Sequence, residues 1–195
     1  MFTPITLSAL RKALFLDRDG VIIDYIPYLG KPEQVQLPAG AGEALTQWQK
    51  AGYLLIVITN QAGIGRGYFD HGDVAAVHTK IRQEYGKEGV KFTDFFLCPH
   101  HPEDGCDCRK PSPEMLLRAA EQYQISLQES YFIGDAPSDV GAAIAAGCQP
   151  VVLMTGRGEE TCQQLDKFRL QLAGPIPVFA NLGETVSLLA SLSSK

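Results

Sequence analysis

The chain has 195 residues, of which 45% are apolar and 20% charged, with a formal net charge of -5. That length suits one domain with a full hydrophobic core rather than two. The acidic balance excludes broad attraction to nucleic acid or an anionic membrane surface, and no apolar run approaches the ~20 residues a spanning helix needs.

Met1 to Lys12 carries its basic residues at the end rather than the start, so it is read as a tail over residues 1–11 and not as a signal peptide. Lys12 to Leu16 is a short apolar run ending in Asp17-Arg18-Asp19-Gly20, a buried strand stopped by a polar loop. Ala39 to Lys50 has helical spacing and Gly52 beyond it as a stop. Tyr53 to Ile58 is a second buried strand, Asp70 to Tyr85 a helix and Phe92 to Leu97 a third strand. Ser112 to Tyr123 reads as helix, Ser130 to Ile133 as strand, Ser138 to Ala146 as helix and Val151 to Met154 as strand. Ile176 to Phe179 and Leu182 to Leu192 close the chain as a strand and a helix. Alternation of this kind predicts an α/β fold: a Rossmann-like parallel sheet with helices on both faces, as one domain over residues 12–195.

Ligands of such sheets bind beyond the carboxyl ends of the strands. That logic selects Asp17 and Asp19, Thr59 and Asn60, the loop from Cys98 to Lys110, and Asp135 with Asp139. Asp17 and Asp19 are two apart in extended chain, so both carboxylates can face one crevice. Neighbouring carboxylates repel unless a cation or a shared proton intervenes, and Asp135 could supply a third oxygen. Mg2+ suits such a set, because it takes few carboxylates and keeps sites for waters and a phosphate oxygen. One carboxylate could then attack phosphorus while another moves the proton. The Thr59 hydroxyl and the Lys110 ammonium are placed to stabilise the transferring group. Capping explains a lone aspartate after a strand, but not this joint placement.

The five cysteines are Cys98, Cys106, Cys108, Cys148 and Cys162. An odd count, with three of them clustered beside histidines, argues against a disulfide framework and for a reducing compartment, the cytoplasm. Cys98, His100, Cys106 and Cys108 form Cys-x-His and Cys-x-Cys pairs, which together make a closed, structural Zn2+ site. His101 is left free to face solvent or substrate, and Cys148 and Cys162 are expected to be free thiols. A metal clip would hold this short loop and so position Arg109 and Lys110.

Asp17-Arg18-Asp19-Gly20-Val21-Ile22, Thr59-Asn60-Gln61, Arg109-Lys110-Pro111 and Gly134-Asp135-x-x-x-Asp139 resemble, in order and in placement, the four motifs of the haloacid dehalogenase superfamily. The resemblance runs from Lys12 to about Arg157. It implies Asp17 as nucleophile, Asp19 as general acid and base, Thr59 and Lys110 as phosphoryl contacts, and Asp139 as an orienting residue behind them. It also implies Mg2+ on Asp17, the Asp19 carbonyl and Asp135. The Cys-x-His and Cys-x-Cys-Arg-Lys-Pro loop resembles the histidinol-phosphate and heptose-bisphosphate phosphatase branch, which lacks a large cap domain. Thr59 to Gly67 is similar to the glycine-rich stretch of the heptose-bisphosphate members, which places Asn60, Gln61 and Arg66 as substrate contacts, and Arg109 joins them from the metal-pinned loop. The expected reaction is hydrolysis of the 7-phosphate of D-glycero-D-manno-heptose 1,7-bisphosphate, a step of lipopolysaccharide heptose biosynthesis, by a monomer acting on a small metabolite. Histidinol phosphate or a broader set of sugar phosphates is the near alternative; a non-catalytic phosphate-binding protein on the same fold is the remaining one, and it predicts loss of Asp17 or Asp19, both of which are present. Ile23 and Ala136 depart from the family pattern, which often has Asn and Lys there.

Overall fold

The structure is a computed structural model describing residues 10–168, 171–172 and 174–192. Six strands form one parallel sheet: β1 (Lys12–Leu16), β2 (Tyr53–Asn60), β3 (Phe92–Cys98), β4 (Tyr131–Gly134), β5 (Gln149–Leu153) and β6 (Val178–Phe179). Their spatial order is β3-β2-β1-β4-β5-β6. The chain steps outward from β1 to β3, returns to lay β4 beside β1, and steps outward the other way. The order therefore reverses between β1 and β4, where such sheets open a crevice.

Side chains alternate across each strand and feed a core on each face. Leu14, Leu16, Val57 and Ile133 point to one side, where α1 (Ala41–Lys50) and α3 (His71–Gly86) contribute Leu45, Trp48, Val77, Ile81 and Tyr85. Ala13, Phe15, Ile56 and Phe132 point to the other, under α4 (Glu114–Tyr123) and α5 (Pro137–Ala146), which add Met115, Leu116, Ala142 and Ala143. Trp48 anchors the first layer: its ring packs edge-on to Tyr53 at 4.8 Å, and its Nε1 donates to Thr185 Oγ1 at 3.1 Å.

The expected α/β layering is present, with differences at the edges. β2 runs two residues further than expected, because Thr59 and Asn60 pair with Leu97 and Cys98 and stay in the ladder. A single helical turn, α2 (Ala62–Gly65), follows it. The helix expected over Leu182 to Leu192 begins as a 3-10 turn, Leu182–Val186, before becoming α7 (Ser187–Leu192). The Asn181 side chain caps that turn, and the buried Thr185 hydroxyl donates to the Leu182 carbonyl at 2.7 Å, which tightens it. Another short helix, α6 (Gly158–Cys162), follows β5. Arg11, assigned to the tail, already bridges Ile125, while residues 1–9 of that tail lie outside the described residues. No helix among the described residues is long and apolar enough to cross a membrane.

Candidate active site

Asp17 stands just beyond β1 and Asp135 just beyond β4, so the strand-order reversal sets the two carboxylates side by side. Asp139 projects from the first turn of α5, where its Oδ2 accepts the Ala136 N–H at 3.0 Å. Oxygens of Asp17, Asp135 and Asp139 lie within 4.8 Å of one another. Lys110 enters from the loop after β3, and its buried ammonium sits 2.8 Å from Asp17 Oδ1, 2.7 Å from Asp139 Oδ1 and 2.8 Å from the Ile58 carbonyl. The contacts with Asp17 and the Ile58 carbonyl are hydrogen bonds, and the one with Asp139 is an ion pair.

Charge and burial shape this cluster. Burial raises the Asp17 carboxyl well above the ordinary range; Lys110 pulls it back, and Asp139 and Asp135 push it up again. Burial and then Asp139 raise Asp135 to about 6, against the Arg157 backbone N–H donated to its Oδ2 at 2.8 Å. Burial opposes the charge on Lys110, but Asp139 and Asp17 outweigh it and hold the ammonium above its usual pKa. Three clustered carboxylates face one cation, so the pocket favours a second. With Asp139 committed to Lys110 and the Ala136 N–H, Asp17 and Asp135 remain as hard oxygen donors of the kind Mg2+ takes.

Two glycines close on Asp135. Gly20 (φ +85) and Gly156 (φ +52) hold backbone conformations that side chains rarely adopt, and a Cβ on either would meet Asp135 Oδ2. Asp19 is held from two sides: Arg18 Nε and Nη2 each reach its carboxylate at 3.0 Å, and Gln61 Nε2 donates to its Oδ2 at 3.0 Å. Gln61 Nε2 also lies 2.8 Å from Thr59 Oγ1, which as acceptor keeps its own hydrogen free for a ligand. Asn60, expected to contact substrate, lines the cleft and also bonds the Lys110 backbone: Nδ2 donates to the Lys110 carbonyl at 3.2 Å and Oδ1 accepts the Lys110 N–H at 3.0 Å. It latches the loop that carries Lys110.

Asp17, Asp19, Thr59, Gln61 and Asp135 open on one cleft of about 360 Å³, whose walls include Tyr25, Tyr28, Phe69 and five cations: Arg18, Arg66, Arg109, Lys110 and Arg157. Arg66 lies 6.0 Å from the Tyr28 ring centroid, and Tyr28 packs edge-on to Tyr68 at 4.9 Å. Sequence reasoning assigned no role to Arg18, Arg157 or this aromatic wall. An arginine between two aspartates at a strand end was the available sign for Arg18; Arg157 acts on Asp135 through its backbone, which no side-chain pattern records.

On the loop after β3, Cys98, His100, Cys106 and Cys108 bring their ligand atoms within 4.8 Å of one another. Cys98 Sγ is 3.5 Å from Cys106 Sγ and 3.6 Å from His100 Nδ1; Cys108 Sγ is 3.2 Å from His100 Nδ1 and 3.7 Å from Cys106 Sγ. A tetrahedron with Zn–S bonds of about 2.3 Å has edges of about 3.7 Å, so the donors are already spaced for that ion. His101 is outside the cluster: its Nδ1 accepts the Glu103 N–H at 3.2 Å. Gly65 meets the backbone of His100 and His101, which ties the cluster to the turn after Thr59.

A family model described as HAD-hydrolase-like matches residues 107–184. A D-glycero-beta-D-manno-heptose-1,7-bisphosphate 7-phosphatase from Pseudomonas putida is 44% identical over 155 residues, covering 78% of this chain and 88% of that protein. A D-glycero-alpha-D-manno-heptose-1,7-bisphosphate 7-phosphatase from Campylobacter jejuni is 37% identical over 149 residues, covering 76% of this chain and 86% of that protein. The crystal structure of a D,D-heptose 1,7-bisphosphate phosphatase from B. bronchiseptica, complexed with magnesium and phosphate, superposes with a TM-score of 0.85 at 32% identity, covering 93% of this chain and 99% of that one.

Proposed function

The chain belongs to the haloacid dehalogenase-like hydrolase family that contains the heptose-bisphosphate phosphatases, and we propose that it hydrolyses the 7-phosphate of D-glycero-D-manno-heptose 1,7-bisphosphate. The observation that carries the chemistry is the Lys110 ammonium wedged between Asp17 and Asp139, with Asp135 alongside. Asp17 attacks phosphorus, the bond from phosphorus to the sugar oxygen breaks, and Asp19 gives its proton to that oxygen. Water then attacks the aspartyl-phosphate, Asp19 takes its proton, and inorganic phosphate leaves with Asp17 restored. Lys110 already touches the attacking carboxylate, so it lies beside the phosphoryl group throughout, and the Thr59 hydroxyl adds a donor. Arg18 and Gln61 hold Asp19 in place between its two proton transfers.

Asp17, Asp135 and the Asp19 carbonyl would hold Mg2+, which when bound neutralises phosphate oxygen charge. Cys98, His100, Cys106 and Cys108 would hold a structural Zn2+, fixing the loop that delivers Arg109 and Lys110. Five unpaired cysteines suit the reducing cytoplasm.

Arg66 and Arg109 line the cleft, where they suit the distal phosphate or hydroxyls of a sugar bisphosphate. Histidinol would bring an amine and an imidazole toward those cations. The test compares kcat/KM for heptose 1,7-bisphosphate and histidinol phosphate in the wild type and in Arg66→Ala. The bisphosphate should be preferred, and Arg66→Ala should lower its kcat/KM by about tenfold or more, the loss of a charged hydrogen bond. Faster hydrolysis of histidinol phosphate by the wild type rejects the substrate. Equal losses on both substrates reject the role of Arg66.

A further inference from the structure

Two stretches that follow different strands wall the cleft. Residues 24–30, on the chain after β1, contribute Tyr25 and Tyr28; residues 61–69, after β2, contribute Arg66. Tyr28 holds φ +53, a left-handed conformation that a tyrosine keeps only where its surroundings fix it. Its ring meets Tyr68 edge-on at 4.9 Å and lies 6.0 Å from the Arg66 guanidinium, so the two stretches touch.

The Phe69 ring fills the space between them. A Cβ on Gly30 would lie 2.6 Å from Phe69 Cδ1, 3.0 Å from its Cγ and 3.2 Å from its Cβ, so the near half of that side chain sits against the first stretch. A Cβ on Gly63 would overlap Cζ and both Cε atoms, the far half of the same ring. Neither glycine has a positive φ, so the backbone of each would accept alanine, and the ring is the nearest obstacle. Each stretch is also fixed at its own base. Leu29, beside Gly30, is buried in the core and its carbonyl accepts Arg18 Nη2 at 3.3 Å; the Gly65 N–H donates to the Pro99 carbonyl at 2.9 Å. A close-packed ring between two fixed supports leaves little slack.

We propose that Phe69, held between Gly30 and Gly63, is a positioning residue that sets the gap between Tyr28 and Arg66 and thereby the fit of the substrate's distal end. This rests on the reading of Arg66 as a contact to the distal phosphate or hydroxyls of a sugar bisphosphate. The ammonium of Lys110 and the carboxylates of Asp17 and Asp139 hold one another without Phe69, so the phosphoryl site should not sense the ring.

Leucine at position 69 lacks the Cε and Cζ atoms that cover Gly63, so a size exchange tests the contact. Phe69→Leu alone leaves a gap over Gly63, and Gly63→Ala alone forces the ring aside. Each should raise KM for heptose 1,7-bisphosphate about tenfold while kcat stays within about threefold. In the double variant the methyl group fills the vacated space, and KM should return to within about threefold of wild type. A double variant as impaired as the product of the two single losses overturns the proposal. If Gly63→Ala fails to fold, recovery of the fold by Phe69→Leu is the same exchange, and no recovery overturns the proposal. Inorganic phosphate, as a product inhibitor, reads the phosphoryl site, and its Ki should change by less than about twofold in every folded variant. A phosphate Ki that rises in step with KM overturns the distal role. In an Arg66→Ala background Phe69→Leu should add less than about twofold to KM; a further rise of the full size overturns the route through Arg66. If the wild type instead hydrolyses histidinol phosphate faster, the substrate reading fails and the exchange is read on that ester: recovery in the double variant keeps the role of Phe69, and no recovery rejects it.

Discussion

Lys110→Met keeps an unbranched side chain, one atom shorter, and removes its charge. In the wild type that ammonium answers Asp17, Asp139 and the Ile58 carbonyl within 2.8 Å. Removing one partner of a buried ion pair typically costs about 3–5 kcal/mol, because the remaining charge is left without compensation. Here two carboxylates are stranded beside a third, so the upper part of that range is expected at neutral pH. Loss of a cation aimed at the transferring group should also lower kcat/KM by about 10²–10³. The stability loss should depend on pH in a defined direction. Burial already raises Asp17 and Asp135, and without Lys110 nothing pulls Asp17 back. The folded state then binds more protons than the unfolded chain from the ordinary carboxylate range of about 4 up through the raised values, about 6 for Asp135. Stability falls with rising pH wherever the folded state holds the extra protons. Urea unfolding with a chelator present, at about pH 5 and at about pH 8, should therefore give a smaller deficit for Lys110→Met at the lower pH. A deficit independent of pH, or a kcat/KM within tenfold of wild type, would refute the assignment of Lys110 as the cation of this cluster.

Asp17→Asn should abolish phosphate release while circular dichroism stays native, since an amide cannot serve as the carboxylate nucleophile; turnover by the folded variant excludes the aspartyl-phosphate route. Protein purified without added metal should carry about one zinc per chain, and Cys106→Ser should lose it. Full occupancy in Cys106→Ser would mean the ligand set is wrong, and activity should still require added Mg2+. Gly156→Ala drives a methyl group into Asp135 Oδ2 and strains a positive φ, so the Mg2+ concentration for half-maximal activity should rise at least about tenfold. An unchanged requirement would show that Asp135 does not hold the ion.

Much of the site was legible because parallel sheets put chemistry at strand ends, and strand ends are visible as places where apolar runs stop. Asp17, Thr59 and Asp135 follow such stops or sit in the last residues of the strand. The cluster of Cys98, His100, Cys106 and Cys108 was legible for a different reason: its members lie on one loop, so their spacing in sequence constrains their spacing in space. Helices were legible where one face is apolar, as in α3, and less so in the Leu182–Val186 turn, where the Thr185 hydroxyl competes for a backbone carbonyl.

What the tertiary structure decided is everything that joins segments far apart in the chain. The amide of Asn60 grips the backbone of Lys110, 50 residues away. Arg18 is buried and turns back to the Asp19 carboxylate and the Leu29 carbonyl. Gly20 and Gly156 pinch Asp135 from two different loops. None of these follows from apolar periodicity, because an apolar run records that a strand is buried and not which strand lies beside it. The reversal of strand order between β1 and β4 is a property of the sheet alone. It is what sets Asp17 beside Asp135 and lets one ammonium bind Asp17 and Asp139 together.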